Sequence, residues 1–300
     1  MNKLTWTFLL VLSMAGIAVF YPIVKALNGT VDPYLIAFFR FFIASLVLVP
    51  VMAYRNSLHL PPKRDLVFFL LVAFCAVAPT PLIVMGIAST NSVVAAILIN
   101  ANSLIVAVLA TLLLSEQVSH RKMVGLGIGF LGVILVVLNG ANPFANADSA
   151  YFLGSMVLLF AASLSALNKT YSKVYVRKYD GLYVTFFSVT LGSLLLAMFI
   201  GLRGGFDGLT ALTPSLALPM LAIGIFGTAI PWVIWNSSLK HLDAHVAASF
   251  NLLIPVFAAL YSLVFFQESF TVWMFAGFVL TSFGIYLIQK QETTIVVPAV

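Results

Sequence analysis

Residues 94–132 read VAAILINANSLIVAVLATLLLSEQVSHRKMVGLGIGFLG, and residues 246–284 read VAASFNLLIPVFAALYSLVFFQESFTVWMFAGFVLTSFG. Laid over one another, the two stretches match Val94, Ala95 and Ala96 to Val246, Ala247 and Ala248. They also match Ala107 to Ala259, Glu116 to Glu268, Gly125 to Gly277 and Gly132 to Gly284. The same shift of 152 positions carries outward: Phe8 falls on Phe160, Leu12 on Leu164, Ser13 on Ser165, Gly29 on Gly181, Pro62 on Pro214 and Pro79 on Pro231. Apolar coincidences are cheap in an apolar chain. Glycine, proline and glutamate coincidences at one constant offset are not, so the chain holds two copies of one unit.

Composition says where that unit lives. Hydrophobic residues make up 62% of the 300 positions and charged residues 8%, against about 25% charged in a soluble domain. A helix crossing a bilayer needs roughly 20 apolar residues, and ten such runs can be drawn: 4–25, 34–53, 66–86, 93–114, 122–139, 151–172, 182–202, 215–237, 245–266 and 271–289. The runs are too long and too evenly apolar for barrel strands, which leaves helices as the spanning form. Turn and polar signals separate them, among them Asn28-Gly29, Asp32-Pro33, Pro61-Pro62 with Lys63-Arg64, and the stretch 139–148. The first run is expected to act as an uncleaved signal anchor, being too long for a signal-peptide core. The one cysteine, Cys75, lies within an apolar run and can form no intrachain disulfide.

The net charge of +6 does not point to nucleic acid, because the basic residues are dispersed over short loops. With the N-terminus in the cytoplasm, twelve basic residues fall at the inner face: Lys3, Arg55, Lys63, Arg64, Arg121, Lys122, Lys169, Lys173, Arg177, Lys178, Lys240 and Lys290. Lys25 and Arg203 fall outside, and Arg40 lies within a span. That asymmetry predicts cytoplasmic termini. The repeat covers five spans, an odd number, so its two copies must sit upside down relative to each other. The expected fold is therefore all-α and integral to the membrane. Ten transmembrane helices form two inverted five-helix repeats, 1–140 and 151–290, followed by a cytoplasmic tail, 291–300. Inverted repeats are an architecture of secondary transporters, with the substrate site near the midplane.

Residues 228–285, TAIPWVIWNSSLKHLDAHVAASFNLLIPVFAALYSLVFFQESFTVWMFAGFVLTSFGI, carry a more specific pattern. The features are the Ala244-x-x-Ala247-Ala248-Ser249 entry into the ninth span, Leu253-x-Pro255-Val256 within it, Glu268 at its end and Gly277 with Gly284 in the tenth. Residues 88–136 repeat the pattern more weakly, and Arg40-Phe41 completes it in the second span. Together these resemble the EamA branch of the drug/metabolite transporter superfamily, over essentially the whole chain. The resemblance implies a bacterial inner-membrane carrier of small metabolites such as amino acids, often an exporter, working by alternating access. Ser103 stands where Pro255 has the family's proline, and Leu167-Asn168 where many members have an aromatic residue.

Polar residues within the spans are the candidates for transport. Arg40 is either an anion anchor or gate partner, with Glu268 near it, or a snorkelling or bracing cation. Asn100, Asn102 and Asn251 each need partners in hydrocarbon. They face a polar cavity or hydrogen-bond between helices, and Asn100 and Asn102, two apart, point to different faces. Thr80, Trp232 and Trp235 are lining candidates beside Pro79 and Pro231. The tryptophans are equally suited to a lipid interface. Tyr21, Asn168, Tyr171 and Tyr261 suit either a lining or a packing role. Pro22, Pro79, Pro231 and Pro255 remove backbone hydrogen bonds at sites that can hinge. Glu116 and Glu268 close their spans at opposite faces, suited to anchoring or gating and expected to reach interfacial water. Gly125 and Gly129 form a G-x-x-x-G that suits scaffolding or a homodimer contact. His241 and His245 share a helix face and could hold a metal, but Asp243 between them reads as an N-cap.

No phosphate-binding loop or metalloprotease motif is present, no carboxylate sits in mid-span, and no cofactor or metal is expected. The expected partners are a small-molecule substrate and the lipid bilayer, without nucleic acid. An enzyme is disfavoured by the lack of a catalytic cluster and a channel by the lack of a continuous polar stripe. The repeat also breaks at informative places: Asn100 falls on Leu252, Asn102 on Ile254, Arg40 on Gly192 and Thr80 on Trp232. An asymmetric substrate needs an asymmetric site, so the site is expected at such breaks.

Overall fold

The structure, a computed structural model, describes residues 3–20, 23, 31–89, 98–116, 118–138, 149–204, 216–266 and 271–289. Among them every regular element is helical. In chain order these are α1 (Lys3–Ala18), α2 (Pro33–Tyr54), α3 (Lys63–Val77), α4 (Pro79–Ser89), α5 (Asn102–Leu114), α6 (His120–Leu138), α7 (Ser149–Lys178) and α8 (Gly181–Leu202). There follow α9 (Ala217–Gly224), a π turn (Ile225–Ala229), α10 (Ile230–Ser238), α11 (Ala244–Ser249), a 3-10 turn (Phe250–Leu253), α12 (Ile254–Phe266) and α13 (Val272–Gln289). Among the described residues, six stretches are long and apolar enough to cross a membrane: Pro33–Tyr54, Lys63–Ile83, Ser149–Lys178, Gly181–Leu202, Ala217–Ser238 and Ala244–Tyr261. Leu4–Ala18, Leu98–Leu114 and Val272–Ile288 are shorter apolar helices. The outward-facing side chains, such as Leu4, Phe8, Val67, Leu112, Phe152, Leu194, Val264 and Phe275, are exposed hydrocarbon. That is the surface a bilayer covers and water does not.

Sequence chemistry sets the helix ends and breaks. Asp32 accepts from the Tyr34 N–H at 2.7 Å, with Pro33 behind it, and starts α2. Asp180 accepts from the Gly181 N–H at 2.8 Å and starts α8. The sixth expected run, 151–172, continues to Lys178. The cations Arg177 and Lys178 in that last turn complement the helix C-terminus. Among the described residues, four runs are interrupted. Pro79 cannot donate to the turn before it, and α3 stops two residues earlier, at Val77. Pro231 likewise follows the π turn, where the Ile230 N–H reaches back to the Ile225 carbonyl. Pro255 opens α12 after the 3-10 turn. Ala101 is a turn between residues 98–100 and α5. Ala101 and Leu253 fall on one another under the 152-residue shift, as do Pro79 and Pro231.

The packing pairs exchange under the same shift. The segment α3–α4 packs on α7 and on α8, and its counterpart α9–α10 packs on α1 and on α2. Helix α5 packs on α7, and α12 on α1. Counterpart elements also meet directly, α2 with α8 and α6 with α13, and α5 packs on α11.

The α6–α13 pair shows why glycine recurs at matched positions. A Cβ on Gly125 would lie 2.8 Å from the Gly284 carbonyl oxygen, and one on Gly284 would lie 2.5 Å from that of Gly125. One on Gly132 would lie 2.7 Å from the Gly277 carbonyl oxygen. As numbers rise along α6 they fall along α13, so the helices are antiparallel with backbones in contact. Gly129 belongs to this interface also, its Cβ position meeting Leu252 at 2.7 Å, whereas Gly127 faces open space.

Candidate functional site

Among the described residues, three groups of polar residues inside the bundle involve the candidates read from the sequence. The first surrounds the π turn. A Cβ on Gly16 would lie 2.5 Å from the Phe226 carbonyl oxygen, so α1 meets the irregular backbone directly. The Ser13 hydroxyl donates to the Pro231 carbonyl at 2.9 Å. The Thr228 hydroxyl donates to the Ile223 carbonyl at 3.0 Å and accepts from Arg40 Nε at 2.7 Å. Arg40 is buried, with its guanidinium 4.5 Å from the Phe20 ring centroid and 5.5 Å from that of Phe41. Arg40 therefore braces α2 against the π turn, where backbone groups freed by Pro231 need partners. Thr228→Val keeps the shape and removes this acceptor. It is expected to cost about 1.5–3 kcal/mol in detergent unfolding measurements, while Thr228→Ser retains most of the stability.

The second group is asymmetric between the halves. Lys169, on α7, donates to Asn102 Oδ1 at 3.0 Å and lies 5.5 Å from the Trp235 ring centroid. Asn102 and Trp235 are buried, and Lys169 is half-buried. A helical side chain leans toward its own N-terminus, so Lys169 reaches along α7 away from the basic end at Arg177 and Lys178. Glu116 lies fourteen positions beyond Asn102, roughly 21 Å at 1.5 Å per residue. The ammonium thus lies inside the bundle, away from the end that Glu116 closes. Lys169 was expected with the inner-face cations. The structure corrects this, and its signal in the sequence is that it falls on Ile17 under the repeat shift. Asn102 falls on Ile254 and Trp235 on Ile83, so all three polar groups have isoleucines as counterparts.

The third group closes the end of the bundle that carries most basic residues. Lys173, one turn along α7, donates to Glu116 Oε1 at 2.6 Å, to the Leu242 carbonyl at 2.9 Å and to Asp243 Oδ1 at 3.4 Å. The Ala244 N–H donates to Glu116 Oε1 at 2.9 Å, and the His245 N–H to Oε2 at 3.4 Å. His245 Nδ1 lies 2.8 Å from Glu116 Oε2. Burial pushes the Glu116 carboxyl up, but hydrogen bonds from His245, Lys173 and the Ala244 N–H outweigh it and hold it at about 2, below the usual 4.5. Two expectations are corrected here. Glu116 is buried rather than at interfacial water, because three elements converge on it. Asp243 occupies the N-cap position of α11 without a capping bond, because Glu116, just past the end of α5, accepts from the Ala244 and His245 N–H groups instead. His245 turns to Glu116, and no metal-binding cluster exists among the described residues.

Around this closure lie further ties. Asp180 holds Arg55 at 3.1 Å and Lys240 at 3.5 Å, Asp65 accepts from Tyr179 at 2.5 Å and pairs with Lys178, and Trp6 stacks on His241 at 4.9 Å.

The remaining candidates are placed elsewhere. The Asn168 amide donates to the Val72 carbonyl at 2.9 Å, and Tyr171 packs edge-on against Phe68 at 5.5 Å, both toward α3. Asn251, in the 3-10 turn, is buried and donates to the Ala248 carbonyl of α11 at 2.7 Å. That carbonyl also accepts from Ser103 at 2.9 Å, tying α5 to α11. Asn100 is buried beside the Ala101 turn. Thr80 is half-buried. Trp232 is half-buried and meets Phe41 edge-on at 5.6 Å. The Tyr261 hydroxyl donates to the Ala15 carbonyl at 3.0 Å. Tyr21, Pro22, Lys25 and Glu268 lie outside the described residues.

Comparison with known proteins gives this arrangement a family. An uncharacterized transporter of Archaeoglobus fulgidus is 25% identical over 285 residues, covering 95% of this chain and 97% of its own. The uncharacterized transporter YdfC of Bacillus subtilis is 24% identical over 266 residues, 88% of this chain and 84% of its own. A crystal structure at 15% sequence identity superposes with a TM-score of 0.80, covering 96% of this chain and 98% of that one, and so shares the fold. The model of the EamA-like transporter family matches twice, over residues 4–138 and 152–289. The chain is a multi-pass membrane protein that belongs to the EamA-like transporter family, within the drug/metabolite transporter superfamily.

Proposed function

We propose that the protein is a secondary carrier with ten spans in two inverted repeats, 1–140 and 151–290, followed by a tail over 291–300. It moves small metabolites such as amino acids outward across the inner membrane by alternating access, with both termini cytoplasmic. The observation that carries this reading is the exchange of packing pairs under the 152-residue shift. That exchange is expected of two halves related by a twofold axis in the membrane plane. The antiparallel α6–α13 glycine contacts support it. In this reading the Glu116 cluster closes the cytoplasmic end, and the Lys169 group lies on the pathway beyond it. The helix breaks at Pro79 and Pro231 are the places where the halves flex.

Counterflow is the test. In proteoliposomes preloaded with a candidate amino acid or organic acid, uptake of the labelled compound is expected to be saturable. It should be accelerated by the unlabelled compound on the far side. Linear flux indifferent to preloading contradicts the carrier reading, and single-channel current steps replace it with a pore.

A further inference from the structure

We propose that Lys169 is the anchor for the carboxylate of the transported metabolite, so that the substrate is a small monocarboxylate with an apolar body. This rests on the carrier reading above. Two lysines share one face of α7, a turn apart, and their surroundings differ. Lys173 meets three acceptors, one for each ammonium hydrogen: Glu116 Oε1, the Leu242 carbonyl and Asp243 Oδ1. Lys169 meets one, Asn102 Oδ1, together with the π face of Trp235. Among the described residues no carboxylate lies within ion-pairing distance of Lys169, although the Glu116 cluster is one turn away along α7.

An ammonium held inside an apolar bundle without a counter-ion is costly, and charges kept at such depth mark substrate paths. Snorkelling does not account for it, because the side chain reaches to Asn102, the first residue of α5, at the end of that helix away from Glu116. Bracing does not either, since Asn102 satisfies only one of three donors. A bound carboxylate would take the two remaining hydrogens and cancel one charge with one charge. A phosphate dianion would leave a net negative charge, and a neutral amide would leave the positive charge uncompensated. The Trp235 ring beside the ammonium is the apolar group nearest the anchor, suited to the apolar body of the molecule. The isoleucine counterparts Ile17, Ile83 and Ile254 put this chemistry in one half-site only, which fixes which end of the substrate lies where.

The test uses purified full-length protein in detergent and in proteoliposomes. The probes are monocarboxylates from acetate to 3-phenylpropionate, each with its isosteric amide, and phenyl phosphate. At least one carboxylate is expected to raise the unfolding temperature of the wild type and to show counterflow, with its amide and phenyl phosphate doing neither. Lys169→Met should weaken carboxylate binding by about 10- to 100-fold and, by removing the unpaired charge, raise the unfolding temperature of the ligand-free protein. Lys169→Arg should keep most of the binding. Lys169→Gln serves if the methionine variant does not fold. The proposal is overturned if no carboxylate stabilises the wild type, if amides act equally, or if Lys169→Met binds carboxylates as the wild type does. Saturable counterflow of the amides would overturn the anchor and leave the carrier reading standing. Carboxylate binding without counterflow by any probe would instead overturn the carrier reading.

Discussion

Replacing Glu116 with alanine is expected to cost about 3–5 kcal/mol of stability, the range for breaking a buried charge cluster by removing one partner. The change strands the Lys173 ammonium, His245 Nδ1 and the first N–H groups of α11, all of which now converge on that one carboxylate. Each would be left buried without its acceptor. Glu116→Gln should fall between alanine and the wild type, keeping one oxygen but placing an amide donor near Lys173. Acid should mimic the mutation. The folded-state carboxyl titrates at about 2 instead of 4.5, so its stabilisation is fully present above pH 4.5 and is lost as pH falls through 2. Unfolding midpoints of the wild type and Glu116→Gln measured from pH 6 to pH 3 should therefore converge on acidification. A Glu116→Ala variant within about 0.5 kcal/mol of the wild type, the scatter of a neutral surface change, would show that the cluster does not hold α5, α7 and α11 together.

Gly284→Leu carries the other large expected effect. A side chain there has no room to turn aside, because the atoms in its way are the backbone oxygen of Gly125 at 2.5 Å and the backbone nitrogen of Gly129 at 2.5 Å. Helices α6 and α13 would have to separate along the interface. Overpacking of a side-chain core costs about 1–3 kcal/mol, and backbone collisions belong at or above the upper end. Gly127→Leu, on the same helix as Gly125 but with nothing near it, should be neutral or slightly stabilising, since glycine is a poor helix former. Thermal unfolding in one detergent compares the two variants directly. Equal stability of both would mean that the α6–α13 contact is not a closed interface.

Much of the fold was legible because its determinants are local and repetitive. Apolar run length, proline position and matched glycines each dictate a backbone consequence that needs no knowledge of distant contacts. The glycines of 125, 132, 277 and 284 are the best case, because the repeat picked them out and the α6–α13 contact uses all four. The polar interior was legible only in part. Asn102 and Trp235 stood out as amide and indole within apolar runs, and the structure brings them together at Lys169. Lys169 itself was hidden by its neighbours: four residues before Lys173 and near Arg177, it reads as one more inner-face cation. Only the side chain's lean along a helix that extends to Lys178 carries it inward. Glu116 was hidden for a different reason. Its partners, Lys173, Ala244 and His245, come from two other elements more than fifty positions away, and no spacing rule connects them. Asn168 and Asn251 illustrate the converse, since amides in apolar runs can be consumed by a nearby backbone carbonyl.

Alternating access about the Lys169 group, as proposed, requires the two halves to lie upside down to each other. Arg55 follows α2 and Arg203 follows α8, the counterpart helices of the two halves, and both are exposed. With the buried Cys75 replaced by serine, Arg55→Cys and Arg203→Cys can be probed with a membrane-impermeant maleimide in intact cells. The account predicts that Cys at 203 is labelled from outside and that Cys at 55 is labelled only after permeabilisation. Labelling of both positions from the same side would contradict it.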